Sequence, residues 1–175
     1  SGLNFTVNSH KKPSILSNQN QKAPPPKLKN RKARFNYDVE ETYEAGIALK
    51  GTEVKSLREG KANFTDSFVF VENGEAWLRS MYIKPYKHGS YSNHDPRRKR
   101  KLLLHKRQIR ELEKATQQQG YTIVPLKLYF KRGHVKILIG LARGKKKYDK
   151  RQDIKEKDMK REIQRKVKGS YKIDL

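Results

Sequence analysis

Apolar and polar residues alternate most regularly between Tyr121 and Ala142. Val124, Leu126, Leu128 and Phe130 fall on one face, with Pro125, Lys127 and Tyr129 on the other. Val135, Ile137, Ile139 and Leu141 repeat the pattern, with Lys136 facing out. A period of two predicts a β-hairpin with one face in the core and the other open to solvent or a partner. Lys131-Arg132-Gly133-His134 supplies its turn, where Gly133 accepts a positive φ. After Ala142 the apolar pattern stops, and Gly144-Lys-Lys-Lys-Tyr-Asp-Lys-Arg151 begins a basic tail.

Upstream, Phe35, Tyr37, Val39 and Tyr43 to Leu49 read as one long strand, bent at Gly46. Thr52 then N-caps a short helix over Glu53–Glu59 that contributes Val54 and Leu57 to the core and closes at Gly60. Ser67–Glu72 and Glu75–Ile83 flank Asn73-Gly74, the strongest short-range hairpin signal, and Phe68, Phe70 and Trp77 are expected to feed the core. Pro85 to Asn93 reads as an irregular loop. Asp95 as N-cap and Pro96 at the first turn open a main helix running to about Gln119. Leu102, His105, Ile109 and Leu112 form its apolar stripe, opposite Lys106, Arg107, Arg110 and Lys114. Leu103 lies by helical phase among those cations. Two readings stand for it: packing against a neighbouring loop, or an apolar contact in a nucleic-acid-binding face.

Strand, short helix, hairpin, long helix and hairpin in that order suit a mainly β fold. The expected form is an OB-type antiparallel β-barrel with two or three flanking helices and a basic C-terminal tail. A ferredoxin-like sandwich is the alternative. The expected division is a disordered N-terminal extension over 1–29, a barrel domain over 30–143 and the tail over 144–175. The extension is polar, carries Pro24-Pro25-Pro26 and has too little apolar surface to offset its ordering entropy. A transit-peptide remnant, a basic RNA-contacting arm and a species-specific extension all fit it.

The tail holds thirteen Lys/Arg and five Asp/Glu between Arg143 and Lys168. Asp153/Lys157, Glu156/Lys160 and Glu162/Lys166 are acid–base pairs at i, i+4, and Met159, Ile163 and Val167 make a narrow apolar stripe. An isolated helix so rich in like charge is marginal in water. The expectation is a tail unfolded alone and helical on a polyanion.

Over 175 residues, Lys+Arg 42 against Asp+Glu 18 gives a net charge of +24. That imbalance points first to nucleic acid and second to an anionic membrane surface. There are no cysteines, so disulfides and thiolate metal sites are excluded. The apolar runs fall well short of the roughly 20 residues of a membrane span, and no secretory core region is present.

The chain offers no catalytic constellation. Gly140-Leu-Ala-Arg-Gly144-Lys145-Lys146 resembles a phosphate loop, but its glycine spacing is one residue short and no Ser or Thr follows the lysine. His10, His88, His94, His105 and His134 show no metal-ligand spacing, and His105 reads as a core or cap residue. No separated acid pair suggests general acid–base work. The reading is a binding protein without cofactor, metal or catalytic residue. Lys and Arg supply phosphate contacts, and exposed aromatics stack on unpaired bases.

Collinear segments carry a resemblance: Asn30-Arg-Lys-Ala33, Glu44-Ala-Gly-Ile47, Gly51-Thr-Glu-Val-Lys-Ser-Leu-Arg58, His94-Asp-Pro96, Arg100-Lys-Leu-Leu-Leu-His105, Pro125-Leu126 with Tyr129-Phe130, Gly144-Lys-Lys146 and Asp149-Lys-Arg151. Together they resemble the small protein B (SmpB) family, the SsrA-binding, or transfer-messenger-RNA-binding, proteins of trans-translation. The resemblance spans about Asn30 to Lys168. It implies an OB-type barrel and a monomeric binding protein rather than an enzyme. Such a protein holds the tRNA-like domain of transfer-messenger RNA and stands in for the missing anticodon arm. The complex enters ribosomes stalled on messages without a stop codon. There the tail becomes helical and probes the decoding site, against small-subunit ribosomal RNA, and the empty mRNA channel. Elongation factor Tu and alanyl-tRNA synthetase are implied partners through the shared RNA.

By position, the resemblance assigns RNA binding to Asn30, Glu44, Leu103 and Lys136, and to Gly144, Lys145 and Lys146 at the tail base. The cations Arg31, Lys32, Lys106 and Arg107 flank these positions and join the expected RNA-binding set. Asp149, Lys150 and Arg151 match the tail motif, and Tyr148 stands where many members have His. The aromatic face survives there, while the imidazole proton donor does not. The implied location is the bacterial cytoplasm, with plastid or mitochondrion as the alternative. Another ribosome-associated or ribosomal RNA-binding protein is the competing reading.

Overall fold

The computed structural model describes residues 24–86 and 95–170, apart from the side chains of Lys147 and Ser170. Most of the proposed N-terminal extension, the loop beyond residue 86, and His10, His88 and His94 lie outside the described residues.

The Tyr121–Gly144 hairpin forms as its alternation predicts, with strands β8 (Tyr121–Lys131) and β9 (His134–Gly144). Arg132 and Gly133 both take positive φ, 51° and 78°, as a two-residue primed turn requires. The first arm departs from simple alternation. A register shift between Pro125 and Lys127 leaves Leu126 as an extra residue. Leu128 therefore faces the main core, while Val124 and Leu126 pack on the opposite side with Ala33 and Ala142. That side is covered by helix α1 (Arg31–Asn36), so this half of the hairpin is buried on both faces. Gly140 lies within β9 and opens no loop. A Cβ there would come within 2.8 Å of Val39 Cγ1 and 3.0 Å of Leu126 Cδ1, so the close approach needs glycine.

Strand β1 (Leu28–Lys29) pairs with β8, which places its two residues in the sheet rather than in a disordered extension. The segment after it, expected to start a strand at Phe35, is α1; β2 (Tyr37–Ile47) follows directly. Helix α2 (Gly51–Arg58) begins two residues earlier than a cap at Thr52 would place it. Lys50 holds the cap position, and its N–H donates to Glu53 Oε1 at 2.9 Å. Strands β3 (Ala62–Asn63) and β6 (Tyr82–Ile83) form a short separate pair. Between them β4 (Phe68–Glu72) and β5 (Glu75–Arg79) form the second hairpin, turning on Asn73 and Gly74, both at positive φ. Its core side chains are Val69, Ala76 and Leu78, and Phe68, Phe70 and Trp77 are not in the core. The β period fixes this: once Ala76 and Leu78 point inward, Trp77 must point outward.

The expected helix from Asp95 to Gln119 divides. Asp95 Oδ1 accepts from Arg97 N–H at 2.9 Å and its carbonyl from Arg98 N–H at 3.1 Å, closing a local turn rather than capping a helix. Strand β7 (Arg100–Leu103) follows, then α3 (Lys106–Thr116), with His105 at its N-cap and Ile109 and Leu112 buried. The helical phase was real only from Lys106 onward. Upstream, pairing with β5 and β2 overrides it.

Among the described residues the main-sheet order is β1-β8-β4-β5-β7-β2-β9, and β8 also pairs with β9. The pairings from β8 through β4, β5, β7, β2 and β9 thus return to β8. The antiparallel sheet closes around Leu78, Met81, Leu102, Leu112, Ile137 and Ile139, all essentially inaccessible. Helix α4 (Lys147–Ser170) extends from its end. The tail expected to be unfolded alone is a helix in this structure.

Candidate nucleic-acid interface

The period of two puts Glu44 and Gly46 on the outer side of β2, because Tyr43, Ala45 and Ile47 are buried. Gly46 pairs with Leu103 on β7 and with Lys136 on β9, and Lys136 pairs with Tyr129 on β8. One rung across four strands is therefore Leu103, Gly46, Lys136 and Tyr129. Glu44 lies on the next rung, opposite Leu138. The structure brings together the expected residues Glu44, Leu103 and Lys136 on one outer patch.

Leu103 is 56% exposed, an unusual position for leucine. It lies across Gly46, where an added Cβ would approach Leu103 Cβ to 3.2 Å, so glycine lets the leucine lie low on the sheet. Its phase anomaly on a helix disappears on a strand: Arg100 and Leu102 turn inward, and Leu103 turns out.

Glu44 is the acid of the patch. Its carboxylate accepts from the Tyr129 hydroxyl and from Lys131 Nζ at 3.1 Å. The Tyr129 hydrogen bond, followed by Lys131, holds the Glu44 carboxyl below its ordinary range. Burial and the same contact push the Tyr129 phenol up to about 12. The site thus presents a fixed anion braced by donors, able to accept from a base or ribose and to repel a misplaced phosphate. Sequence reasoning missed Tyr129 and Lys131 as site residues. The signal available was Tyr129's outward phase opposite Lys136.

The remaining expected residues lie elsewhere. Lys106 and Arg107 are exposed at the start of α3, three and four residues after Leu103. Arg107 Nε is 3.2 Å from Glu111. Asn30 is a structural cap whose side-chain groups are both engaged: Nδ2 donates to the Pro125 carbonyl at 2.8 Å, and Oδ1 accepts from Ala33 N–H at 3.3 Å. Arg31 and Lys32 follow it, exposed on α1.

Gly144 sits at the far end of β9 from Lys136, about 26 Å along an extended strand. Lys145 N–H donates to the Asn36 carbonyl at 2.8 Å, and its ammonium pairs with Asp153 on α4. Asp153 was expected to pair with Lys157. Lys157 instead stands over the Phe35 ring of α1, 5.5 Å from its centroid. Lys146 is exposed. On α4, Tyr148 is 69% exposed and its hydroxyl accepts from Gln152 at 2.9 Å. Asp149 lies in the first turn, where the helix dipole favours an acid, followed by Lys150 and exposed Arg151.

Behind the patch, Arg100 anchors β7. It is inaccessible, and its Nε donates to Glu53 at 2.6 Å. Its other nitrogens donate to the carbonyls of Met81 at 2.7 Å, Pro96 at 3.0 Å and Arg98 at 3.2 Å. Burial lowers the Arg100 guanidinium, and Glu53 opposes that shift. Among the described residues no group of three or more His, Cys, Asp or Glu is placed to hold a metal, and no helix is long and apolar enough to cross a membrane.

An SsrA-binding protein from Aquifex aeolicus is 62% identical over 149 residues, 85% of this chain and 95% of its own. One from Staphylococcus carnosus is 56% identical over 156 residues, 89% of this chain and all of its own. A chain in a solved structure described as "tmRNA-SmpB: a journey to the center of the bacterial ribosome" superimposes with a TM-score of 0.60. It is 63% identical and covers 70% of this chain and 86% of its own. The model of the SmpB protein family matches residues 27–169, and the chain belongs to that family.

Proposed function

We propose that this protein binds the tRNA-like domain of transfer-messenger RNA and delivers that RNA to ribosomes stalled on messages without a stop codon. The observation that carries the reading is the convergence of Glu44, Leu103 and Lys136 on one outer patch of the closed sheet. SsrA-binding relatives and a tmRNA-SmpB ribosome structure of high identity support it. Lys136, Lys106 and Arg107 meet phosphates, Leu103 packs on a base or ribose face, and Glu44 accepts from a polar donor that fixes register. Arg31 and Lys32 on α1 add phosphate contacts beyond that patch.

The second half of the task belongs to the tail. Gly144, Lys145 and Lys146 connect it to the barrel, and Tyr148, Asp149, Lys150 and Arg151 meet small-subunit ribosomal RNA near the decoding site. Tyr148 stacks where a histidine would, and α4 follows the mRNA channel. Elongation factor Tu and alanyl-tRNA synthetase act on the same RNA, in the bacterial cytoplasm. The protein works as a binding factor, not an enzyme.

A salt-dependent titration against transfer-messenger RNA and bulk tRNA tests the reading. Selective binding that Glu44→Ala weakens and Asp149→Ala leaves intact supports it. Equal affinity for both RNAs, or indifference to Glu44→Ala, refutes it.

A further inference from the structure

The β4–β5 hairpin turns its aromatic side chains away from the core. Phe70 stands opposite Trp77, and Phe68 opposite Arg79. Trp77 in turn pairs with Lys101 on β7. The Phe68 and Phe70 ring centroids are 6.0 Å apart, and Phe68 is 40% exposed. Lys99 Nζ stands over the Trp77 ring, 4.6 Å from its centroid. A groove of about 660 Å³ is lined by Phe70, Arg79, Arg97, Arg98 and Lys99, together with Glu72 and Asp95.

The outer face of an antiparallel sheet is ordinarily polar. Here its central rung is Phe70, Trp77 and Lys101, with cations on both flanks. Glu75 holds Lys101 at 2.9 Å and Glu72 lies 4.0 Å from Lys99, so the acids offset only part of that charge. Aromatic rings on a sheet surface with Lys and Arg around them form the platform on which unpaired bases stack, whatever their sequence. A patch suited to an apolar protein partner would not be ringed by so many like charges.

We propose that the outer face of β4, β5 and β7 is a second nucleic-acid surface. Unpaired bases of single-stranded RNA stack there on Phe70 and Trp77, while Arg79, Lys99 and Lys101 take the flanking phosphates. Lys101 is two residues from Leu103 on the same strand, so a structured RNA seated on the Glu44 patch can lay an adjoining single strand along this face. The stacking surface does not depend on what that structured RNA is.

Trp77 is the chain's one tryptophan and reports directly on its own site. The full chain is titrated with octauridylate and octaadenylate at about 50 mM salt while Trp emission is followed. Saturable quenching is expected. Phe70→Leu should weaken it by about tenfold or more, and Lys99→Ala should reduce the slope of log K against log salt by about 0.7. Melting curves verify that both variants remain folded. Glu44→Ala should leave this binding unchanged, which separates it from the transfer-messenger RNA titration. No quenching, or quenching whose affinity neither Phe70→Leu nor Lys99→Ala alters, overturns the proposal.

Discussion

Replacing Glu53 by glutamine removes the counter-charge of a guanidinium that has no access to water. Arg100 is 0% exposed, and Glu53 is the anion bonded to it. Arg98 shares the same carboxylate through its other oxygen. Glutamine keeps the shape and one acceptor, so the loss is mainly electrostatic. Breaking a buried pair from one side costs about 3–5 kcal/mol. The three backbone carbonyls that Arg100 retains place this change near the lower end, about 3 kcal/mol. For a chain of this size that corresponds to a melting temperature lower by about 10 °C.

The pH dependence gives a second, independent reading. Burial works to raise the Glu53 carboxyl, but hydrogen bonds from Arg98, the Lys50 backbone and Arg100 outweigh it, leaving the group below its ordinary 4.5. The unfolded chain therefore takes up this proton at higher pH than the folded one. The stabilisation is complete above the ordinary 4.5 and is lost as pH falls through the lower folded value. Thermal melts of both proteins from neutral pH down to pH 3 should converge at the acid end. A Glu53→Met, Arg100→Met double variant should recover much of the loss, because the unpaired charge is gone as well. A Glu53→Gln penalty under about 1 kcal/mol, or parallel acid limbs in the two proteins, would refute this account.

Three further outcomes follow from the site and the tail. Glu44→Gln should lower the Tyr129 phenol from about 12 toward its ordinary 10, read by NMR of ring-labelled tyrosine; in the parent protein the raised value stabilises the fold below pH 10, and that contribution fades as pH rises toward 12. Gly46→Ala should displace Leu103, whose Cβ would be 3.2 Å from the new methyl, and weaken RNA binding about as much as Leu103→Ala while the melting temperature moves by only a few degrees. Asp153→Asn removes the ion pair that ties α4 to Lys145, so circular dichroism should show less helix in the free protein and a larger gain of helicity on adding RNA; equal helicity in both proteins, free and bound, would show that the tie does not hold the tail.

How much of this was legible in the sequence depends on which signals were local. The two hairpins were, because primed turns at Asn73-Gly74 and Arg132-Gly133 announce themselves and alternation runs on both sides. What local pattern could not decide was phase against tertiary demand. Arg100–Leu103 satisfies a helical stripe through Leu102, yet the space between β5 and β2 needs a strand, and those pairings prevail. The same limit hid the aromatic platform: hydrophobicity argues for Phe70 and Trp77 inside, but one strand cannot bury both Trp77 and its neighbours Ala76 and Leu78. The buried Glu53–Arg100 pair was invisible because nothing in either segment marks two charges 47 residues apart as partners. For the site, matched positions named Glu44, Leu103 and Lys136, which the strand register brings onto one patch, but could not distinguish a residue exposed on that surface from one that builds it. Asn30 shows the difference. Both ends of its amide are engaged inside the protein, where they hold the start of α1 against β8.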